Sequence, residues 1–173
     1  KVASHPTNPG KLTAADIAAY QPKLRTPVCS DYRAYTVCGM PPPSSGGIAI
    51  AQMLGILETR NMAAHPPLDG VPTAEALHLF TEAARLAYAD RALYLGDPDF
   101  VQPPAGRWTS LLDDAYLKQR ASMIGAQSMG TAKPGVPAGA SSAFAPQMQQ
   151  SESGTSHISI VDGDGRAVAM TTT

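Results

Sequence analysis

The sequence predicts an α+β chain in which helices come first and a β-hairpin comes last. Three observations point there. Apolar residues recur at helical spacing from Thr73 to Leu95. Two runs of β formers, His157 to Val161 and Ala167 to Thr173, flank Asp162-Gly163-Asp164-Gly165, a tight turn with two Asp-Gly dipeptides. Between them Gly125 to Ser153 is poor in charge and rich in Gly, Ser, Pro, Ala and Gln, the composition of a long flexible linker.

The elements follow in order. Thr13 to Tyr20 reads as a short surface helix. Thr13 is its N-cap and Asp16 completes an acidic variant of the capping box. Thr26 to Met40 reads as a hairpin, with Val28, Tyr32, Tyr35, Thr36 and Val37 as β formers. A turn at Arg33-Ala34 sets Tyr32 opposite Tyr35 and Cys29 opposite Cys38. Counted outward from a two-residue turn, the cysteines form a non-hydrogen-bonded pair, whose Cα spacing of about 4.5 Å permits a disulfide. The alternative is two free thiols. A disulfide implies an oxidising compartment.

Pro41-Pro42-Pro43-Ser44-Ser45-Gly46-Gly47 is a stiff segment followed by a flexible one. Ser44 or Ser45 then caps a helix to about Thr59, with Ile48, Met53, Leu54, Ile56 and Leu57 on its apolar side. Thr73 caps the long helix to Leu95, whose expected buried face carries Leu77, Phe80, Ala84, Ala87, Tyr88 and Ala89 to Leu95. Gly96-Asp97-Pro98 ends it. Asp97 to Arg107 is loop. Thr109 to about Ile124 is another helix, with Leu112, Tyr116, Ala121 and Ile124 recurring.

Composition excludes several roles. The 173 residues are 43% hydrophobic and 16% charged, which argues against disorder and against a coiled coil. The 15 Gly and 16 Pro exceed an average share and call for irregular segments. A net charge of -1 without a Lys/Arg block argues against a nucleic-acid surface. The longest apolar stretch, Gly46 to Leu57, falls short of the about 20 residues of a membrane span. The chain opens at Lys1 and closes on Thr171-Thr172-Thr173 straight after an apolar run, so it reads as an interior piece of a longer polypeptide.

Two cysteines cannot make the usual Cys₄ or Cys₂His₂ zinc site. His5, His65, His78 and His157 are scattered, and no metal or other cofactor is expected. Asp162-Gly163-Asp164-Gly165 lacks the later bidentate Glu of a calcium loop. A G-x-S-x-G elbow is absent.

The sharper signal is Glu152-Ser153-Gly154-Thr155-Ser156-His157. A linker ends on Gly, and a hydroxyl residue begins a strand. That arrangement suits self-cleavage. The Thr155 hydroxyl attacks the carbonyl of Gly154, where no side chain blocks approach, and an N-to-O acyl shift gives an ester. Water then releases Thr155 with its own amine, whose ordinary pKa of about 8 fits it to take the hydroxyl proton.

Three stretches together resemble the γ-glutamyltranspeptidase family. They are Tyr35 onward through Met40-Pro41-Pro42-Pro43-Ser44-Ser45-Gly46-Gly47-Ile48; Tyr88-Ala89-Asp90-Arg91 followed by Tyr94-Leu95-Gly96-Asp97-Pro98-Asp99-Phe100-Val101; and Thr155-Ser156-His157-Ile158-Ser159-Ile160-Val161-Asp162 followed by Asp164-Gly165. The resemblance covers roughly residues 10 to 173. It implies an N-terminal-nucleophile hydrolase with an αββα sandwich, of which this chain is a fragment. A precursor cuts itself between Gly154 and Thr155. Residues 1–154 then belong to the large-subunit region, with the hairpin at 26–40 and the linker at 125–154. Residues 155–173 begin the small subunit of the same precursor.

Thr155 is the implied nucleophile toward glutathione and other γ-glutamyl compounds. Its γ-glutamyl ester passes to water, an amino acid or a dipeptide. Thr173 matches a family threonine that hydrogen-bonds the nucleophile, and Thr171 a hydroxyl implicated in cleavage. Bacterial relatives of this kind are periplasmic or secreted. Ser156 stands where Thr is commoner in the family. The family's arginine for the substrate carboxylate, its oxyanion glycines, paired serines and amine-binding acids lie outside the chain, so these 173 residues alone are expected to be inactive and poorly folded. Two alternatives remain: a cephalosporin or glutaryl acylase of the same family, and a non-catalytic binding module that stays in one piece.

Overall fold

A computed structural model of the chain describes residues 3–7, 9–140, 144–145 and 154–172. Thr173 and residues 146–153 of the expected linker lie outside the described residues, as do residues 141–143.

Helix α1 spans Ala14–Ala19 and buries nothing. Its capping box is complete: the Asp16 amide donates to Thr13 Oγ1 at 3.2 Å, and the Thr13 amide to Asp16 Oδ2 at 2.7 Å. The Thr13 hydroxyl and amide hold the Asp16 carboxyl below its ordinary range.

Strands β1 (Val28–Tyr32) and β2 (Tyr35–Gly39) pair antiparallel, with Tyr32 opposite Tyr35 and Cys29 opposite Cys38. The turn sits at Arg33-Ala34, where Arg33 takes a positive φ of 55°. The Arg33 amide donates to Glu58 Oε1 at 2.9 Å, which ties the hairpin tip to the end of the next helix. The period-2 pattern half-buries Val28, Ser30 and Tyr32 and exposes Cys29 and Asp31. Cys29 and Cys38 form a disulfide on the exposed face.

Helix α2 spans Gly46–Glu58. Ser45 occupies its N-cap position, but no side-chain cap bond forms there. Its hydroxyl instead accepts from Arg91 Nε at 2.7 Å. Helix α3 spans Ala74–Tyr94, and Thr73 caps it by accepting from the Ala76 amide at 3.2 Å. The buried face of α3 matches the expected one only in part: Ala87 and Tyr94 are buried as expected. Ala83, Leu86, Ala87 and Asp90 are fully buried, whereas Leu77, Phe80 and Tyr88 are about half exposed. The helix is turned so that two carboxylates, Glu82 and Asp90, face inward to receive backbone amides.

The single helix expected over 109–124 is broken. A 3₁₀ turn at Trp108–Leu112 gives way at Asp113, which is extended (φ -63°, ψ 132°), to helix α4 at Asp114–Ser122. Arg107 grips both Asp113 oxygens, at 2.9 and 2.6 Å, and Ser110 Oγ donates to the Pro104 carbonyl at 2.8 Å. These bonds tie the 3₁₀ turn to the preceding loop and separate it from α4.

The core lies among α2, α3 and α4. Ile56, Leu57, Ala83, Leu86, Leu117, Ala121 and Ile124 form one cluster, and Ile48, Tyr94, Leu111 and Tyr116 a second. Ile48, Ile56, Leu86 and Leu111 are 0% exposed, and such burial contributes about 1.5–3 kcal/mol per side chain.

The first part of the expected flexible linker is fastened down. Residues 125–140 lack helix and strand, yet Met129 and Ala132 pack on the core. Glu82 accepts from Ser128 Oγ at 3.0 Å and from the Met129 amide at 2.8 Å. Asp90 accepts from the Gly135 amide at 2.7 Å. Composition suggested a tether because this segment's backbone bonds go to side chains of α3, which no local pattern reveals.

Strands β3 (Ser156–Val161) and β4 (Ala167–Thr172) form a second antiparallel pair. Every residue in both is exposed.

Candidate active site at the β3–β4 hairpin

Alternating Ile, Ser and Val residues favour extension in β3, and the turn chemistry closes the hairpin. Asp162 does the closing. Its Oδ1 accepts from the amides of Asp164 (3.0 Å) and Arg166 (2.9 Å), and Gly165 takes the positive φ of 80° that the turn requires. The register runs from Val161 opposite Ala167 out to Ser156 opposite Thr172.

Thr155 sits immediately before β3 and is exposed, as is Gly154. Gly154 has φ 134°, a conformation in which an L side chain would be strained. The residue before the candidate nucleophile thus combines an unobstructed carbonyl with a backbone that glycine alone adopts readily.

His157 faces Thr171 across the pair. Its Nδ1 lies 2.7 Å from Thr171 Oγ1, and its Nε2 lies 3.0 Å from Ser159 Oγ. A neutral imidazole has one donor and one acceptor nitrogen, so one of these hydroxyls donates and the other accepts. Residues 157 and 159 share one face of the strand by its period of two. The structure therefore places Thr171 across the hairpin from His157, two residues along the chain from Thr155. Thr173 lies outside the described residues.

A second polar group is fully buried. Asp90 (0% exposed) and Arg120 (2%) form an ion pair at 3.0 Å. Asp90 also accepts from Tyr116 Oη at 2.8 Å, from Gln52 and from the Gly135 amide. Arg120 donates to the carbonyls of Leu86 and Lys133, each at 2.9 Å. Burial pushes the Asp90 carboxyl above its ordinary range, against the pull of Arg120 and its hydrogen-bond donors. Burial also raises the Tyr116 hydroxyl, and the Asp90 charge adds to the shift. A Cβ on Gly135 would come within 2.9 Å of Arg120 Cδ, so only glycine lets the segment lie this close. The neighbour of Asp90, Arg91, reaches Ser45 and lies 5.5 Å over the Tyr88 ring. The Pro41–Gly47 and Tyr88–Arg91 stretches are thus in direct contact.

Among the described residues no group of three or more His, Cys, Asp or Glu side chains is arranged to hold a metal ion. No helix among them is long and apolar enough to cross a membrane.

Comparison with solved structures finds the same fold in γ-glutamyltranspeptidases. The enzyme of Helicobacter pylori matches with a TM-score of 0.59 and 36% identity, over 84% of this chain and 37% of that one. The enzyme of Pseudomonas nitroreducens, complexed with L-DON, matches at 0.60 and 36%, over 71% and 36%. The sequence profile described as Gamma-glutamyltranspeptidase matches residues 2–173, and the chain belongs to that family.

Among curated relatives, the glutathione hydrolase proenzyme of Escherichia coli (strain K12) is 46% identical over 168 residues, which is 96% of this chain and 26% of the relative. The acylase ACY 1 proenzyme of Pseudomonas sp. (strain V22) is 36% identical over 166 residues, again 96% and 26%. The chain spans about a quarter of the length of these relatives.

Proposed function

We propose that this chain is the part of a γ-glutamyltransferase/glutathione hydrolase precursor that contains the self-cleavage junction. Thr155 Oγ1 attacks the Gly154 carbonyl carbon, the C–N bond breaks as the ester forms, and water hydrolyses that ester. Gly154 is left as a carboxylate and Thr155 as a free amine. The amine then takes the proton of its own hydroxyl as Oγ1 attacks the γ-carbonyl of a γ-glutamyl amide such as glutathione. The amine half of the substrate leaves, and the γ-glutamyl ester passes to water, an amino acid or a dipeptide. Thr171 and Thr173 orient the nucleophile, and His157 holds Thr171.

The observation that carries this reading is the placement of Gly154-Thr155 at the head of β3, in a chain matched by the family profile from residue 2 to residue 173. In this reading 1–154 belongs to the large-subunit region and 155–173 starts the small subunit. The two partners complete an αββα sandwich in the periplasm or outside the cell. The isolated stretch, about a quarter of its relatives' length, is inactive in this account.

The test is hydrolysis of a γ-glutamyl anilide by the mature full-length protein. Turnover abolished by Thr155→Ala supports the proposal; turnover that survives the substitution sinks it. The likeness to acylase ACY 1 favours one second reading, an acylase with the same nucleophile and another acyl group. Faster turnover of a glutaryl anilide than of the γ-glutamyl anilide would select it.

A further inference from the structure

We propose that the groove beside the β1–β2 hairpin is a thiolation site, at which a small zwitterionic thiol of the glutathione class exchanges with the Cys29–Cys38 disulfide. Both cysteines lie on the exposed face of the hairpin. Cys29 also lines a groove of about 670 Å³, and Cys38 does not. That volume lies within the usual range for small-molecule sites. The disulfide is therefore asymmetric, with one sulfur's residue beside a cavity.

The groove wall carries charges of both signs. Asp31, Glu58, Asp114, Arg107 and Lys118 all contribute. Arg107 is engaged with Asp113, and Glu58 with the Arg33 amide. The Lys118 and Asp114 side chains are exposed and make no hydrogen bond or ion pair with any described residue. A free cation and a free carboxylate on one wall complement a thiol that carries both carboxylate and ammonium groups. A neutral thiol gains nothing from them.

The exchange balances without an oxidant. The thiol loses its proton to solvent, and its thiolate attacks Cys29 Sγ. The new S–S bond forms there as the bond to Cys38 breaks, and the electron pair leaves on Cys38 Sγ, which is protonated by water. Strand pairing and the Arg33–Glu58 bond keep the hairpin seated, so Cys38 remains opposite Cys29 and can reverse the step. The choice of thiol follows the proposed function, but the site uses neither Thr155 nor the cleavage.

The test uses the full-length protein and its uncut Thr155→Ala precursor. Each is exposed to reduced glutathione or to neutral 2-mercaptoethanol at equal thiolate concentration, quenched by alkylation and mapped by peptide mass spectrometry. The expected result is a glutathione adduct on Cys29 in both proteins, formed faster than the mercaptoethanol adduct. Lys118→Gln should lower the glutathione rate relative to mercaptoethanol by roughly two- to fivefold. No adduct, an adduct on Cys38 alone, or equal rates for the two thiols would overturn the inference. Exchange in a protein that lacks γ-glutamyl turnover would leave it standing while the proposed function fell.

Discussion

His157 Nδ1 lies 2.7 Å from Thr171 Oγ1, across the β3–β4 pair and two residues from Thr155. Both side chains are exposed, so the bond adds little to stability. Thr171→Val keeps the shape of the side chain and removes the hydroxyl. Stability should change by less than about 0.5 kcal/mol, as for other surface substitutions. Self-cleavage should slow by roughly 10²-fold, the cost of a small misplacement near reacting groups. A time course of precursor disappearance beside a denaturation curve separates the two effects.

Asp90→Asn should be the most damaging single change in the helical part. It leaves the Arg120 guanidinium, 2% exposed, without its counter-charge. Breaking such a pair from one side costs about 3–5 kcal/mol. The denaturation midpoint of the full-length precursor should fall accordingly. The Gly135 amide, which donates to the Asp90 carboxylate, should lose its exchange protection with it.

Glu82 predicts an acid-sensitive fastening of residues 128–130. Burial pulls its carboxyl up, but the Met129 amide, the Ser128 hydroxyl and the Arg85 and His78 charges outweigh that and hold it below its ordinary 4.5. A lowered value means stability present above about 4.5 and lost as pH falls through the folded value. Glu82→Gln isolates this effect. The protection factor of the Met129 amide should drop below pH 4.5 in the parent and be nearly flat with pH in the variant.

The Cys29–Cys38 bond closes a short hairpin that strand pairing and Glu58 already support. Its removal by the double change Cys29→Ser, Cys38→Ser should cost about 2–3 kcal/mol. Reductant should lower the unfolding free energy of the parent by the same amount and leave that of the double variant unmoved.

Local signals were the legible ones. Thr13 and Thr73 cap their helices because a hydroxyl before an apolar-periodic run has few other uses. The disulfide register follows from counting outward from Arg33-Ala34. The turn at Asp162 follows from Asp-Gly chemistry. What stayed hidden depends on distant partners. Helix α3 has apolar residues around most of its circumference, so periodicity could not tell Leu77, Phe80 and Tyr88 from Ala83 and Leu86. The choice was made by Glu82 and Asp90, whose partners lie 45 to 47 residues away at Gly135, Ser128 and Met129. The break at Asp113 depends on Arg107 in the preceding loop. At the candidate site, the Gly-hydroxyl junction singles out Thr155 and the family resemblance singles out Thr171, whereas the His157–Thr171 contact needed the cross-strand register.

The central claim is that Thr155 becomes the first residue of a separate chain by its own chemistry. The most direct measurement is the intact mass, under denaturing conditions, of the full-length protein that contains this stretch, beside its Thr155→Ala variant. The parent should give two pieces, one beginning Thr-Ser-His-Ile, and the variant a single uncut chain. A parent that stays in one piece, or a variant that is cut at the same bond, would contradict it.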